Sequence, residues 1–223
     1  MTSLDKKICA LIPARSGSKS IIDKNIKDLN GKPLMAYSIK ASNDCTLINE
    51  TYVSSDSKKY LEIAKSLNSK TLLRPDILAT DTASTESVVK HFLEETNCDI
   101  IVLIQTTSPL ITSQILTSAL KQFIEEDLDS LTSVYKDHGF WWEENNPLYD
   151  PNNRPMRQNQ KSLYKESGMF YIFKSEGFLK QKCRIFGKKG IYVTPKIKAF
   201  IEIDEIEDFE IVESIMRAKN HEK

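Results

Sequence analysis

The sequence predicts an α/β fold built on a doubly wound, mostly parallel sheet. Two observations carry this. Up to residue 135, short apolar runs of strand length alternate with amphipathic stretches of helix length. The most apolar run, Asp99-Ile-Ile-Val-Leu-Ile-Gln105, has the near-continuous hydrophobicity of a central parallel strand covered on both faces. The chain of 223 residues, 40% hydrophobic, is long enough for one large core.

Taken in order, residues 8–12 read as a buried first strand. Residues 33–42 read as a helix with Pro33 in its first turn, where the missing N–H costs nothing. Glu50–Ser55 reads as the second strand. Residues 58–67 read as a helix with Tyr60, Leu61, Ala64 and Leu67 along one face. Lys70–Leu73 is a short third strand, and Thr85–Glu95 is a helix capped by Ser84 or Thr85. After the central strand come a helix over 113–126 and a strand over 130–135. Residues 137–160 break the rhythm, being aromatic, Asn- and Pro-rich and aperiodic. So long an irregular stretch inside a compact domain points to a function or an interface. Strand character returns at 169–173, 191–193 and 200–203, and a helix over 208–218 closes the chain. Right-handed crossovers place ligands at the C-terminal ends of such strands. Arg15, Ser55, Gln105 and Thr107 all follow strands and are expected on that edge.

Thirty-one basic residues balance thirty-one acidic ones. No global field draws the chain to nucleic acid or a membrane surface, so any anion site must be local. No apolar run approaches the roughly 20 residues of a membrane span. Residues 1–7 lead into a strand-like run without a small-residue cleavage site, so no signal peptide is expected. Cys9, Cys45, Cys98 and Cys183 form no CxxC pair, and there are three histidines. Free thiols in a cytoplasmic protein are expected, not structural zinc.

The local anion site is residues 11–25, Leu-Ile-Pro-Ala-Arg-Ser-Gly-Ser-Lys-Ser-Ile-Ile-Asp-Lys-Asn. Small residues let backbone N–H groups turn inward, and Arg15, Lys19 and Lys24 supply charge, which suits phosphate. The plain alternative is a strand-to-helix connection with solvated lysines. No GxxxxGK[ST] or GxGxxG is present, so phosphate would be held by another arrangement. Near the C-terminus, Glu202 and Asp204 are spaced i, i+2 on a strand-like run, which puts both carboxylates on one face. Two hard oxygen ligands suit Mg²⁺ shared with substrate phosphates; a solvated strand edge is the equal alternative. Glu205, Glu207 and Asp208 favour the start of the following helix. The polar loop 73–85 is either a capped connection or a base- and ribose-contacting loop with Arg74 and Thr85. The turn Gln105-Thr-Thr-Ser-Pro-Leu110 leaves the most buried strand, where polar side chains are costly unless they meet a ligand or the backbone.

Together these four elements resemble the cytidylyltransferases that activate acidic nine- and eight-carbon sugars, and most closely the acylneuraminate (CMP-sialic acid synthetase-like) group. That family's IPARGGSKGIPRKN is similar to residues 12–25, its RPxxLAxDTAS to residues 74–84, its LQPTSPL to residues 104–110, and its DIDTxxDFxxAE to residues 202–213. The match spans almost the whole chain in order. The resemblance implies a single domain over residues 1–223 with a Rossmann-like nucleotidyltransferase sheet, and a protruding dimerisation arm over about 137–165. It implies transfer of CMP from CTP to the anomeric hydroxyl of a 2-keto-3-deoxy sugar acid, with release of pyrophosphate, by a cytoplasmic homodimer. It further implies that Arg15 and Lys24 grip the CTP phosphates, with Ser18 and Lys19 in the same loop, and that Asn25, Arg74 and Thr85 contact the nucleoside and its surroundings. Gln105, Thr107, Arg157 and Gln158 would face the sugar. Asp204, with Glu202, would hold Mg²⁺, or Mn²⁺ in its place. Arg15, Lys24 and Asp204 are the residues expected to carry catalysis. An arm would account for Trp141 and Trp142; a local hydrophobic cluster under a long loop is the alternative.

The departures from the family pattern are specific. Ser16 and Ser20 replace glycines, which is tolerable where φ stays negative. Ile22 and Thr106 replace prolines, Asp23 stands where a basic or apolar residue is common, Glu202 replaces an aspartate, and Glu166-Ser-Gly168 stands where Asn-Gly is usual. They leave the nucleotide reading stronger than the sugar reading. Two other functions stay open on the sequence: a related enzyme using 3-deoxy-manno-octulosonate with CTP or a sugar 1-phosphate with GTP, and a non-catalytic nucleotide-binding domain.

Overall fold

The computed structural model describes residues 6–156, 159 and 163–220, the last two by backbone only. Its parallel core consists of β1 (Ile8–Pro13), β4 (Glu50–Ser55), β5 (Lys70–Leu73), β6 (Ile100–Ile104), β7 (Ser130–Asp137) and β11 (Lys189–Val193). The long strand β10 (Leu163–Lys174) runs antiparallel to both β6 and β7, in a sheet ordered β11-β7-β10-β6-β1-β4-β5. Two small hairpins stand apart: β2 (Asp28–Leu29) with β3 (Lys32–Pro33), and β8 (Trp142–Glu143) with β9 (Asn146–Pro147).

Strict alternation along the central strands sends side chains to two layers. From β1 and β6, Ile8, Ala10, Ile12, Ile100, Val102 and Ile104 pack against α1 (Met35–Asn43), α2 (Lys58–Ser66) and α4 (Ser113–Glu125). Cys9, Leu11, Ile101 and Leu103 face the other way, onto α3 (Thr85–Glu95) and α5 (Ser175–Gln181) through Val89, Phe92 and Phe178. Local chemistry starts the helices. The Ser57 hydroxyl accepts from the Tyr60 N–H, Ser84 from Ser87 and Thr112 from Ile115, satisfying donors that have no intrahelical partner. Ser84, not Thr85, is therefore the α3 cap.

The structure changes two expectations. Pro33 lies in β3, opposite Asp28, ahead of the first turn of α1. Residues 200–203 are not a strand. They follow the short helix α6 (Lys196–Ala199) as an irregular segment outside the sheet, with Phe200 still helical, and are tied to the turn after β6 where the Ile203 N–H donates to the Thr107 carbonyl at 2.8 Å. A third apolar cluster holds this segment down. Ile201 and Ile203 pack with Ile21, Leu29, Leu34 and Leu110, and with Phe209 and Val212 of α7 (Ile206–Asn220). That cluster brings the end of the chain against the loop that follows β1.

Residues 137–156 form an aromatic outgrowth at the end of β7. The Phe140 and Tyr149 rings meet edge-on at 4.9 Å, the Arg154 guanidinium stacks 4.1 Å from Phe140, and Trp142 lies 6.2 Å from Tyr149 while remaining exposed. The ladder between β7 and β10 runs from Asp137↔Leu163 to Val134↔Glu166, then shifts register before Thr132↔Tyr171. Gly168, at φ 63, sits in that irregularity.

Candidate active site

Beyond the C-terminal ends of β1, β5 and β6 lies a cleft of about 220 Å³, lined by Arg15, Ser18, Lys24, Asn25, Arg74, Thr85, Gln105 and Thr107 together with Pro13, Leu78, Thr80, Ala83, Val88 and Thr106. The topology places it where ligands bind to open α/β sheets. Eight of the residues singled out in the sequence thus converge. Lys19 does not line the cleft; its side chain is 81% exposed and pairs with Asp81. Arg157 and Gln158 lie outside the described residues.

The loop after β1 is held by neighbours that sequence reasoning missed. The Ser16 N–H donates to Asp56 Oδ1 at 3.0 Å, and the Ser16 hydroxyl makes a short bond to the other oxygen of the same carboxylate. Asp56 follows β4 directly, so the loop is staked to the neighbouring strand. Neither Ser16 nor Ser20 takes a positive φ; that conformation falls on Asp23, at φ 55. Aspartate tolerates it better than most residues. Its carboxylate accepts from the Tyr60 hydroxyl and Lys59 Nζ, both at 3.0 Å. Asn25 is buried and used at both ends. Its Nδ2 donates to the Arg15 carbonyl at 2.9 Å, and its Oδ1 accepts from the Thr106 hydroxyl at 2.5 Å. Thr106, where the family pattern has proline, thus ties the turn after β6 to the loop after β1.

Arg74 is the most unusual side chain in the cleft. It is 4% exposed, and one Nη donates to the Leu78 carbonyl at 3.4 Å, while Nε and the other Nη are buried without a partner. Burial pushes its pKa down; Asp56 opposes that, and Arg15 adds to it. A guanidinium stays charged in proteins. Buried, incompletely paired charge is costly, and an anion entering the cleft would offset that cost.

The other cations are neutralised within the chain. Arg15 pairs with Asp81 at 2.8 Å. Lys24 Nζ donates to the Ile203 carbonyl at 2.9 Å and to Asp204 at 3.1 Å. Glu202 and Asp204 face away from the buried Ile201 and Ile203, so the expected alternation holds although the ladder does not. The Glu202 carboxylate lies against Gly168, where an added Cβ would sit 2.5 Å from Oε1. Burial raises the Glu202 pKa and the Asp204 charge raises it further, with Lys165 and Lys24 opposing. Two mutually repelling carboxylates of hard oxygens fit a divalent cation that takes its remaining ligands from phosphate and water. Among the described residues, no group of three or more His, Cys, Asp or Glu side chains converges on a metal-sized site. Of the histidines, His91 lies within α3 and His138 in the outgrowth after β7, and neither lines the cleft.

Fold and cleft together define a doubly wound α/β protein with a cationic ligand edge. The chain belongs to the cytidylyltransferase family, whose model matches residues 9–221. It is 33% identical over 210 residues to the N-acylneuraminate cytidylyltransferase A of Danio rerio, covering 89% of this chain and 49% of the relative. To the N-acylneuraminate cytidylyltransferase of Escherichia coli it is 31% identical, covering 97% and 54%. The chain thus spans about half the length of those two relatives. To the pseudaminic acid cytidylyltransferase of Campylobacter jejuni it is 29% identical over 97% of this chain and 98% of that one. Among solved structures, a CMP:2-keto-3-deoxy-manno-octonic acid synthetase complexed with CTP superposes with TM-score 0.69 at 16% identity, covering 96% and 99% of the two chains. The 4-diphosphocytidyl-2C-methyl-D-erythritol synthase of Anaerococcus prevotii gives TM-score 0.69 at 11% identity, covering 95% and 96%. At these identities the two structures speak for the fold.

Proposed function

We propose that the protein transfers CMP from CTP to the anomeric hydroxyl of a 2-keto-3-deoxy sugar acid of the sialic, legionaminic or pseudaminic type. The observation that carries this reading is the convergence of Arg15, Lys24 and the incompletely paired Arg74 guanidinium on one cleft, in a chain of this family. Relatives named for N-acylneuraminate and for pseudaminic acid support the sugar class.

In this reading the anomeric hydroxyl oxygen attacks the α-phosphorus and its proton passes to solvent, while the bond from that phosphorus to the α–β bridging oxygen breaks and pyrophosphate leaves. Such in-line transfer calls mainly for positioning and charge neutralisation. Arg15 and Lys24 offset charge on the departing pyrophosphate, with Ser18 and Lys19 beside them. Asn25, Arg74 and Thr85 hold the nucleoside and its surroundings. Gln105 and Thr107 face the sugar; Arg157 and Gln158, outside the described residues, are assigned to it on the family resemblance. Asp204 with Glu202 would hold Mg²⁺ or Mn²⁺, which would supply further charge neutralisation at the phosphates and acidify the attacking hydroxyl.

The outgrowth after β7 is proposed to pair two copies of the chain. Its exposed Trp142, Leu148 and Met156, and Leu163 and Tyr164 at the start of β10, support that. Free Cys9, Cys45 and Cys98, all buried, fit a reducing cytoplasm. No helix among the described residues is long and apolar enough to cross a membrane.

Pyrophosphate release, measured for four nucleoside triphosphates against a panel of sugar acids and sugar 1-phosphates, tests the proposal. Release is expected with CTP and one nonulosonic acid. Release with GTP and a sugar 1-phosphate, or with no pair at all, would refute it.

A further inference from the structure

We propose that Asp81 is an internal counter-anion that competes with the polyphosphate for the cations of the loop after β1. The inference rests on the reading that Arg15, with Lys19 in the same loop, meets the phosphates. Each oxygen of the Asp81 carboxylate takes one of them: Oδ1 lies 2.8 Å from Arg15 Nη1 and Oδ2 lies 2.7 Å from Lys19 Nζ. Two oxygens of one acid bridging two cations reproduce the way a phosphate bridges them. Asp81 comes from the loop after β5, and its neighbours Thr80 and Ala83 line the cleft. A carbonyl of the same loop, that of Ala79, accepts a second bond from Arg15 at 3.5 Å.

The geometry points to a displaceable contact. Asp81 and Lys19 are exposed, and exposed ion pairs form and break readily. The Lys19 and Arg15 contacts hold the Asp81 pKa below the usual carboxylate range, so it is charged at neutral pH. A ligand that must displace a competing group binds with its affinity reduced by the fraction of time the site is free. If the pairs leave the cations free for about a tenth to a third of the time, polyphosphate binding is weakened about three- to tenfold. The weakening applies equally to CTP and to pyrophosphate, so Asp81 favours product release at a cost in CTP affinity.

The test is calorimetric titration of the full chain with inorganic tripolyphosphate in EDTA, without sugar, which separates this step from metal binding and chemistry. Asp81→Asn is expected to bind about three- to tenfold tighter than wild type, and Asp81→Glu to restore wild-type affinity. A damaged fold would weaken binding, so tightening is not open to a merely structural account. Asp81→Ser carries the same expectation if the asparagine variant does not fold. A folded Asp81→Asn or Asp81→Ser chain that binds no tighter than wild type overturns the role of Asp81 alone. A wild-type chain that binds no tripolyphosphate, or whose binding is unchanged by Arg15→Ala, overturns the phosphate reading of the cleft and this inference with it.

Discussion

Replacing Thr106 by valine keeps the shape of the side chain and removes one hydroxyl. In the native structure that hydroxyl donates to Asn25 Oδ1 at 2.5 Å, between residues 4% and 6% exposed. Water cannot readily take its place, so the variant leaves a buried carbonyl oxygen unpaired, at a cost of about 1–3 kcal/mol. For a chain of this length each kcal/mol moves the melting temperature by about 2–4 °C. Thr106→Val should therefore melt about 2–12 °C lower, measured by circular dichroism. A double-mutant cycle isolates the contact. Asn25→Ala also frees the Arg15 carbonyl and should cost more alone, but once Asn25 is gone the threonine hydroxyl has lost its partner. The coupling energy should be at least about 0.5 kcal/mol. Because Asn25 fixes the backbone of Arg15, Thr106→Val should also weaken CTP binding. Additive single variants, or a Thr106→Val chain as stable as wild type, would refute the brace.

Gly168→Ala places a Cβ 2.5 Å from Glu202 Oε1 at φ 63. The backbone alone should cost about 1–2 kcal/mol in urea unfolding, and displacement of Glu202 should raise the divalent ion concentration that activity requires; unchanged values of both would contradict the packing described. Asp204→Asn removes an exposed charge, so the melting temperature should stay close to wild type while pyrophosphate release disappears; near-wild-type release would sink the metal-site assignment. Glu50 is held down to about 2 by hydrogen bonds from Lys7, Lys70 and the Tyr52 hydroxyl. Its folded value lies below its usual one, so its stabilisation is complete above about pH 4.5 and is lost as pH falls through about 2. Glu50→Gln should therefore unfold at lower urea than wild type at pH 7, with the gap closing near pH 2; a gap that widens in acid would reverse the argument.

Much of the parallel sheet was legible in local pattern. Glu50–Ser55, Lys70–Leu73 and Thr85–Glu95 have the expected bounds, because period 2 and period 3.6 are properties of adjacent residues. The antiparallel insertion of β10 between β6 and β7 was not legible, since strand order depends on pairing across long separations. Residues 200–203 show the limit of alternation as a signal. The period is present, but the backbone finds its partner in Thr107 and not in a neighbouring strand. In the cleft, Arg15, Lys24, Arg74 and Gln105 announced themselves by charge or by position after strands. Asp56, Asp81 and Thr106 did not, because each acts on a residue 40 or more positions away. The only signals were indirect: serine at 16 and threonine at 106, in places where the family pattern has glycine and proline.

The amino-acid sequence by itself determined the α/β class, the ligand edge, the family and the basic loop that faces it, because these follow from periodicity and from the residue types that strand ends carry. Only the tertiary structure decided how that loop is held. Ser16 is staked by Asp56, Asn25 is clasped by Thr106, and Arg15, Lys19 and Lys24 meet carboxylates brought from distant parts of the chain. Charges and hydrogen-bond donors are properties of single residues, but neutralisation and satisfaction belong to pairs. The folded chain decides which pairs meet.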